Sequence, residues 1–136
     1  MVGILVVSHR RLAEELIATA ELIVGEIDSC VGLSLDPNLS VDDLRQQITR
    51  AMSEVNDGDG VIVLTDMFGG TPSNLSLSFL NEEGIEVVTG VNLPMLLKLA
   101  HSRGDFRVDE LARVVKDYGR RSISLASEIL DQDVKE

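Results

Sequence analysis

Val2-Gly3-Ile4-Leu5-Val6-Val7-Ser8-His9-Arg10-Arg11-Leu12-Ala13-Glu14-Glu15-Leu16-Ile17 is the stretch that decides the fold. The unbroken apolar run Val2 to Val7 suits a strand covered on both faces, as strands of parallel sheets are. The period then turns helical, with Leu12, Leu16, Ile17, Ala20 and Ile23 on one face and Gly25 as the stop. A strand passing directly into a helix is the first half of a βαβ unit. His9 stands at the junction, at the carboxyl end of the strand and the amino end of the helix. Such a place faces the crevice where α/β sheets bind ligands, beside amides suited to an anion such as a phosphoryl group. A lone histidine there also fits a plain capping or packing role, so the remaining residues must separate the two readings.

Working outward, the same alternation repeats. Cys30 to Leu35 reads as a second strand. After the turn Asp36-Pro37-Asn38, Ser40 with Asp43 opens a helix running to Val55, with Leu44, Ile48, Met52 and Val55 as its buried stripe. Asn56-Asp57-Gly58-Asp59-Gly60 is a turn cluster, and Val61 to Thr65 is apolar enough for a central strand. Thr71 is placed as the N-cap and Pro72 as the first residue of a third helix, Pro72 to Asn81. Ile85 to Thr89 is the fourth strand. Gly90-Val91-Asn92-Leu93-Pro94 leads into a fourth helix ending near Gly104. Val108 to Leu130 reads as one long helix or two, interrupted at Gly119, and 131–136 as a frayed tail. The fold class is α/β: a doubly wound, mostly parallel sheet with helices on both faces, in a single domain over 1–130.

Composition bounds the function. A chain of 136 residues, 44% apolar and 26% charged, suits one domain with one sizeable core. No apolar span of membrane-crossing length occurs, and the opening residues lack the basic start of a signal peptide, so the expected location is cytoplasmic. Cys30, the single cysteine, lies in an apolar stretch and reads as a buried structural thiol. A net charge of −11 argues against a nucleic-acid partner, since such binders cluster cations. The distribution says more: no Lys or Arg occurs between Arg11 and Arg45, or between Arg50 and Lys98. Arg10 and Arg11 therefore form an isolated positive spot beside His9, although two adjacent arginines also suit a solvated helix face.

Right-handed crossovers set strands one and three side by side, so Ser8-His9 and Asp66-Met67-Phe68-Gly69-Gly70-Thr71 emerge at one edge of the sheet. His9 and Asp66 are then within reach of each other. A carboxylate bonded to one imidazole nitrogen fixes the tautomer, frees the other nitrogen to attack and stabilises the cation that results. Gly69 and Gly70 permit close backbone approach, and their amides with the Thr71 hydroxyl form a cradle for an oxyanion.

Taken together, Ser8-His9 after an apolar strand, Asp66-Met67-Phe68-Gly69-Gly70-Thr71-Pro72-Ser73-Asn74 and Gly90-Val91-Asn92-Leu93-Pro94-Met95-Leu96 resemble the IIA component of the mannose family of the bacterial phosphoenolpyruvate-dependent sugar phosphotransferase system. The resemblance spans Val2 to about Leu130. It implies a doubly wound fold, a strand-exchanged homodimer and phosphotransferase activity without a cofactor or metal. A phosphoryl group would be taken from the phosphohistidine carrier protein HPr and passed to a separate IIB protein, with the membrane reached only indirectly through a IIC/IID permease. By position, His9 matches the phosphorylated histidine and Asp66 the carboxylate that orients it. Thr71 matches a serine or threonine whose hydroxyl and amide help hold the phosphoryl group, next to the Gly69 and Gly70 amides. Phe68, Asn92 and Pro94 match the site wall and partner contact. Arg10 is a departure, because members of this family usually carry glycine directly after the histidine.

Three other readings compete. A metal centre on His9, Asp66 and His101 lacks ligand-like spacing. A receiver domain shares the topology and an aspartate after strand three, but needs an acidic pair where this chain has Ser8 and His9. A regulatory module, in which phospho-His9 signals to a target without sugar transport, uses the same residues and stays open at the level of sequence.

Overall fold

The computed structural model describes residues 1–135. Four strands, β1 (Gly3–His9), β2 (Cys30–Leu35), β3 (Val61–Thr65) and β4 (Ile85–Thr89), form one sheet in the order β2-β1-β3-β4. Every pairing is parallel. Six helices follow in the gaps and after the sheet: α1 (Leu12–Val24), α2 (Val41–Val55), α3 (Thr71–Leu77), α4 (Leu93–Ser102), α5 (Val108–Arg121) and α6 (Ala126–Lys135). Parallel strands need crossovers of this length, and the crossovers cover both faces.

Alternation along each strand divides the core into two layers. Ile4 and Val6 of β1 with Ile62 and Leu64 of β3 face one way, onto Ala13, Ile17 and Ala20 of α1, Met95, Leu96 and Leu99 of α4, and Leu111 and Val115 of α5. Leu5 and Val7 with Val61 and Val63 face the other way, onto Leu44, Ile48 and Met52 of α2 and Leu75 of α3. The doubly wound architecture is thus the one the apolar runs predict.

Helix α2 starts where the capping pair places it, with the Ser40 hydroxyl accepting the Asp43 amide at 3.1 Å. In α1 the buried face is Ala13, Ile17 and Ala20, while Leu12 and Ile23, expected inside, are 47% and 57% exposed. Helix α1 lies close against β2, so its small residues make the contact and the larger ones flank it.

Helix α3 is shorter than the expected Pro72 to Asn81, and its N-cap is Gly70 rather than Thr71, which is the first helical residue. The Ser76 hydroxyl donates to the Pro72 carbonyl and the Ser78 hydroxyl to the Leu75 carbonyl, competing with the helical ladder. Tighter bonds follow, from the Ser78, Phe79 and Leu80 amides to the carbonyls three residues before them. The expected interruption at Gly119 also moves. Gly119 is buried inside α5, which ends at Arg121, and the break before α6 falls at 122–125. A Cβ at Gly119 would stand 2.6 Å from Met95 Sδ, so the glycine serves close packing of α5 on α4. Of the stretch expected to fray, 131–135 is helical, and Glu136 lies outside the described residues.

At the end of the sheet away from His9, Arg103 is buried and donates through Nε to the Val2 carbonyl at 3.0 Å, through Nη1 to the Asp28 carbonyl and through Nη2 to the Ser29 carbonyl at 3.2 Å. Three-point anchoring of this kind ties the start of β1 to the turn before β2, and periodicity gives no sign of it. Cys30 is half-buried, and desolvation pushes its thiol up to about 11, which suits an inert side chain.

Candidate functional site

The parallel register fixes the site. Val7 pairs with Thr65, the last residue of β3, so Asp66 follows Thr65 beside Ser8 while β1 runs on to His9. His9 Nδ1 lies 2.8 Å from Asp66 Oδ2, and the His9 backbone N–H donates to the same oxygen at 2.9 Å. The Met67 amide donates to Asp66 Oδ1 at 2.9 Å. Burial of Asp66 pushes its pKa up. The His9 amide, the His9 ring and the Met67 amide outweigh that and hold the carboxyl below its ordinary value. An ionised carboxylate only accepts, so Nδ1 carries the ring proton and Nε2 keeps its lone pair.

The Asp66 side chain is 10% exposed and that of His9 is 53% exposed. The orienting group is shielded and the ring it orients is open to a partner. Gly70 lies against the outer edge of that ring, where a Cβ would stand 2.8 Å from Cε1 and 3.3 Å from Nε2. Glycine at 70 is therefore a requirement of space, its φ of −91° being open to any residue. At Gly69 the requirement is conformational, with φ at 96°. Thr71 is exposed in the first turn of α3, whose leading amides have no partner within the helix.

The Ser8 hydroxyl does work that sequence reading passed over. It accepts the Ala13 amide at 2.8 Å and donates to the Arg10 carbonyl at 3.3 Å, closing the strand-to-helix turn that presents His9. Its signal was weak because the formal N-cap of α1 is Arg11, which makes no capping bond through its side chain. Arg10 itself has φ of 47°, in the left-handed region. That is the physical reason a glycine suits this position.

Phe68 and Met67, in the turn after β3, are 71% and 53% exposed, and Leu12, at the start of α1, is 47% exposed. Asn92 occupies a different place from the site residues above. Its Oδ1 accepts the Met95 amide at 3.1 Å as the N-cap of α4, and its Nδ2 donates to the Gly119 carbonyl at 3.1 Å. Pro94 is half-buried in the first turn of the same helix. Both reach the carboxyl edge of the sheet through the Gly90 and Val91 amides, which donate to the Thr65 carbonyl at 2.9 Å. His101 is exposed near the end of α4, and no group of three or more His, Cys, Asp and Glu converges among the described residues.

A cleft of about 810 Å³ is lined by Val2, Gly60, Gly84 and Arg103 at the opposite end of the strands. His9 lies at the other end of the strands with its side chain 53% exposed, open to another macromolecule. Among the described residues no helix is long and apolar enough to cross a membrane.

Comparison with known proteins bears on the family and the fold. The model of the family described as PTS system fructose IIA component matches residues 3–116. The chain is 30% identical over 124 residues to the PTS system mannose-specific EIIAB component of Escherichia coli (strain K12), covering 90% of this chain but only 38% of that protein. It is 26% identical over 133 residues to the PTS system fructose-specific EIIA component of Bacillus subtilis (strain 168), covering 97% of this chain and 91% of that one. The crystal structure of phosphotransferase system component EIIA from Streptococcus agalactiae superposes with a TM-score of 0.85 at 31% identity, covering 94% of this chain and 99% of that chain. The family match runs over most of the chain and the structural likeness over nearly all of it, and the chain belongs to the PTS system fructose IIA component family.

Proposed function

We propose that this chain is a phosphoryl carrier that accepts a phosphoryl group from phospho-HPr on His9 Nε2 and passes it to a separate IIB protein during sugar uptake. The observation that carries the reading is the 2.8 Å contact of Asp66 Oδ2 with His9 Nδ1, which leaves Nε2 as the nucleophile. The Nε2 lone pair attacks phosphorus in line, the N–P bond of the donor phosphohistidine breaks, and its electron pair returns to the donor ring. Asp66 then faces a substituted imidazolium and stabilises its charge. Amides of Gly69, Gly70 and Thr71, with the Thr71 hydroxyl, hold the transferring oxygens. Transfer to IIB is the same step in reverse.

The chain acts as a cytoplasmic homodimer in this reading and meets the membrane only through its permease. Two features support the second copy. The outer edge of β4 has no neighbouring strand among the described residues, and Ile123 and Leu125, in the segment between α5 and α6, are 78% and 62% exposed.

Incubation with Enzyme I, HPr and phosphoenolpyruvate, followed by mass spectrometry, tests the reading. One acid-labile phosphoryl group per chain on His9 is the expected result, chased off by a IIB protein. Label on His101, or an acid-stable adduct on Asp66, refutes it.

A further inference from the structure

The residue directly after the nucleophile is held in a conformation that disfavours side chains. Arg10 has φ of 47°, and the Ser8 hydroxyl bonded to its carbonyl at 3.3 Å helps keep it there. A residue with a Cβ meets its own backbone in this region, and glycine does not. Strain of this kind beside a reactive group points to a use for the side chain that bears it.

The Arg10 side chain is exposed, and among the described residues its guanidinium has no hydrogen-bond or ion-pair partner. Arg11 differs, lying 3.8 Å from Glu15. Asp66, the carboxylate of the site, has its oxygens on His9 and Met67. Arg10 is thus the uncompensated cation at the rim of the site, in a chain of net charge −11 whose next cation after Arg11 is Arg45. Leu12, two residues after Arg10, and Met67 and Phe68, in the turn after Asp66, are 47%, 53% and 71% exposed. Met67 belongs to the same surface as the ring, its Cγ 3.7 Å from where a Cβ at Gly70 would stand.

We propose that Arg10 is a specificity-determining residue, its guanidinium pairing with a carboxylate on the phosphoryl-donor protein while Leu12, Met67 and Phe68 seat against the apolar centre of the same partner face. The proposal rests on the reading of His9 as the phosphoryl acceptor. Charge pattern decides the partner's chemistry: a carboxylate-bearing face is repelled by most of this acidic surface and attracted at Arg10. One favourable contact within a repulsive surround sets docking register more than it adds affinity. An unengaged guanidinium on an open rim is screened by salt, so its influence falls as ionic strength rises.

The test compares initial rates of phosphoryl transfer from phospho-HPr for wild type, Arg10→Lys, Arg10→Ala and Arg10→Glu at low and high salt, with the half-life of each isolated phosphoprotein. Arg10→Ala should raise KM about two- to fivefold at low salt, the range of an exposed ion pair. Arg10→Glu should raise it further, Arg10→Lys should restore most of the loss, and high salt should collapse the differences. Half-lives should match wild type. Wild-type KM and salt dependence in Arg10→Ala and Arg10→Glu would overturn the proposal, as would a shortened half-life with unchanged KM, which would mean that Arg10 holds the phosphoryl group itself. Those outcomes leave His9 phosphorylated; wild-type protein that takes no phosphoryl group on His9 overturns the carrier reading and this proposal with it.

Discussion

Asp66 holds His9 at two points with a single oxygen: Oδ2 accepts the ring N–H at 2.8 Å and the backbone N–H of the same residue at 2.9 Å. The first bond sets the tautomer and the second sets where the ring begins. Rotation about χ1 is left with little freedom, because the carboxylate is itself held by the Met67 amide at 2.9 Å. Preorganisation of this sort removes reorientation from the transfer step.

Asp66→Asn should fold but accept a phosphoryl group roughly 10²-fold more slowly, since an amide can hold the ring yet cannot stabilise an imidazolium. Quench-flow transfer from phospho-HPr measures this, and an unchanged rate would reduce Asp66 to a turn residue.

The same carboxylate makes stability depend on pH. Asp66 has a folded pKa below its ordinary 3.8, so the unfolded chain binds its proton more readily than the folded one. The stabilisation is complete above that ordinary value and is lost as pH falls through the lowered one. Urea unfolding of wild type and Asp66→Asn from neutral pH down to about pH 3 should show the wild-type advantage shrinking at the acid end. Parallel curves would mean that the His9–Asp66 contact contributes nothing to folding.

Gly70→Ala should leave the fold intact and damage the site. Its backbone at φ −91° accepts alanine, but the new methyl would stand 2.8 Å from His9 Cε1. The ring must turn off Asp66 or be shielded at Nε2, so acceptance should fall tenfold or more, the order expected for misalignment of about 1 Å. Imidazole nitrogen shifts by NMR report the ring directly; wild-type shifts with a wild-type rate would contradict the packing described.

Arg10→Gly and Arg10→Ala both delete the guanidinium, but only glycine relieves the left-handed backbone at φ 47°. The glycine variant should be the more stable of the two by about 1 kcal/mol. Equal denaturant midpoints would show that the turn relaxes without strain.

Asn92→Ala should lose about 1–2 kcal/mol, because it removes both the cap on the Met95 amide and the donor to the Gly119 carbonyl. Asn92→Asp keeps the acceptor and should lose less. Equal losses in thermal unfolding would assign the main contribution to the Gly119 contact, which both variants remove.

Some of these residues were legible from sequence and others were not, for separable reasons. His9 and Asp66 declare themselves because each ends an apolar strand, and parallel pairing of β1 with β3 forces strand ends to one edge. The two-layer core was readable in the same way, except on α1, where Leu12 and Ile23 share a helical face with Ile17 yet lie outside. Helical period says which residues share a face and leaves open how close the neighbouring strand comes. Gly119 was misread as a break because glycine in a helix is locally unfavourable, and its use became visible only with Met95 packed on it.

What the sequence determined by itself, then, is the order and type of the elements around the sheet and the family motifs at its carboxyl edge, since period, caps and chain order act over a few residues. Tertiary structure alone decided the single carboxylate oxygen shared by the ring and amide of His9, the space that excludes any side chain at Gly70, the left-handed turn at Arg10 and the three-carbonyl anchorage of Arg103. Each of these depends on distances between segments far apart in the chain or on a backbone angle set by its surroundings, and close packing fixes such quantities only when the whole core is assembled.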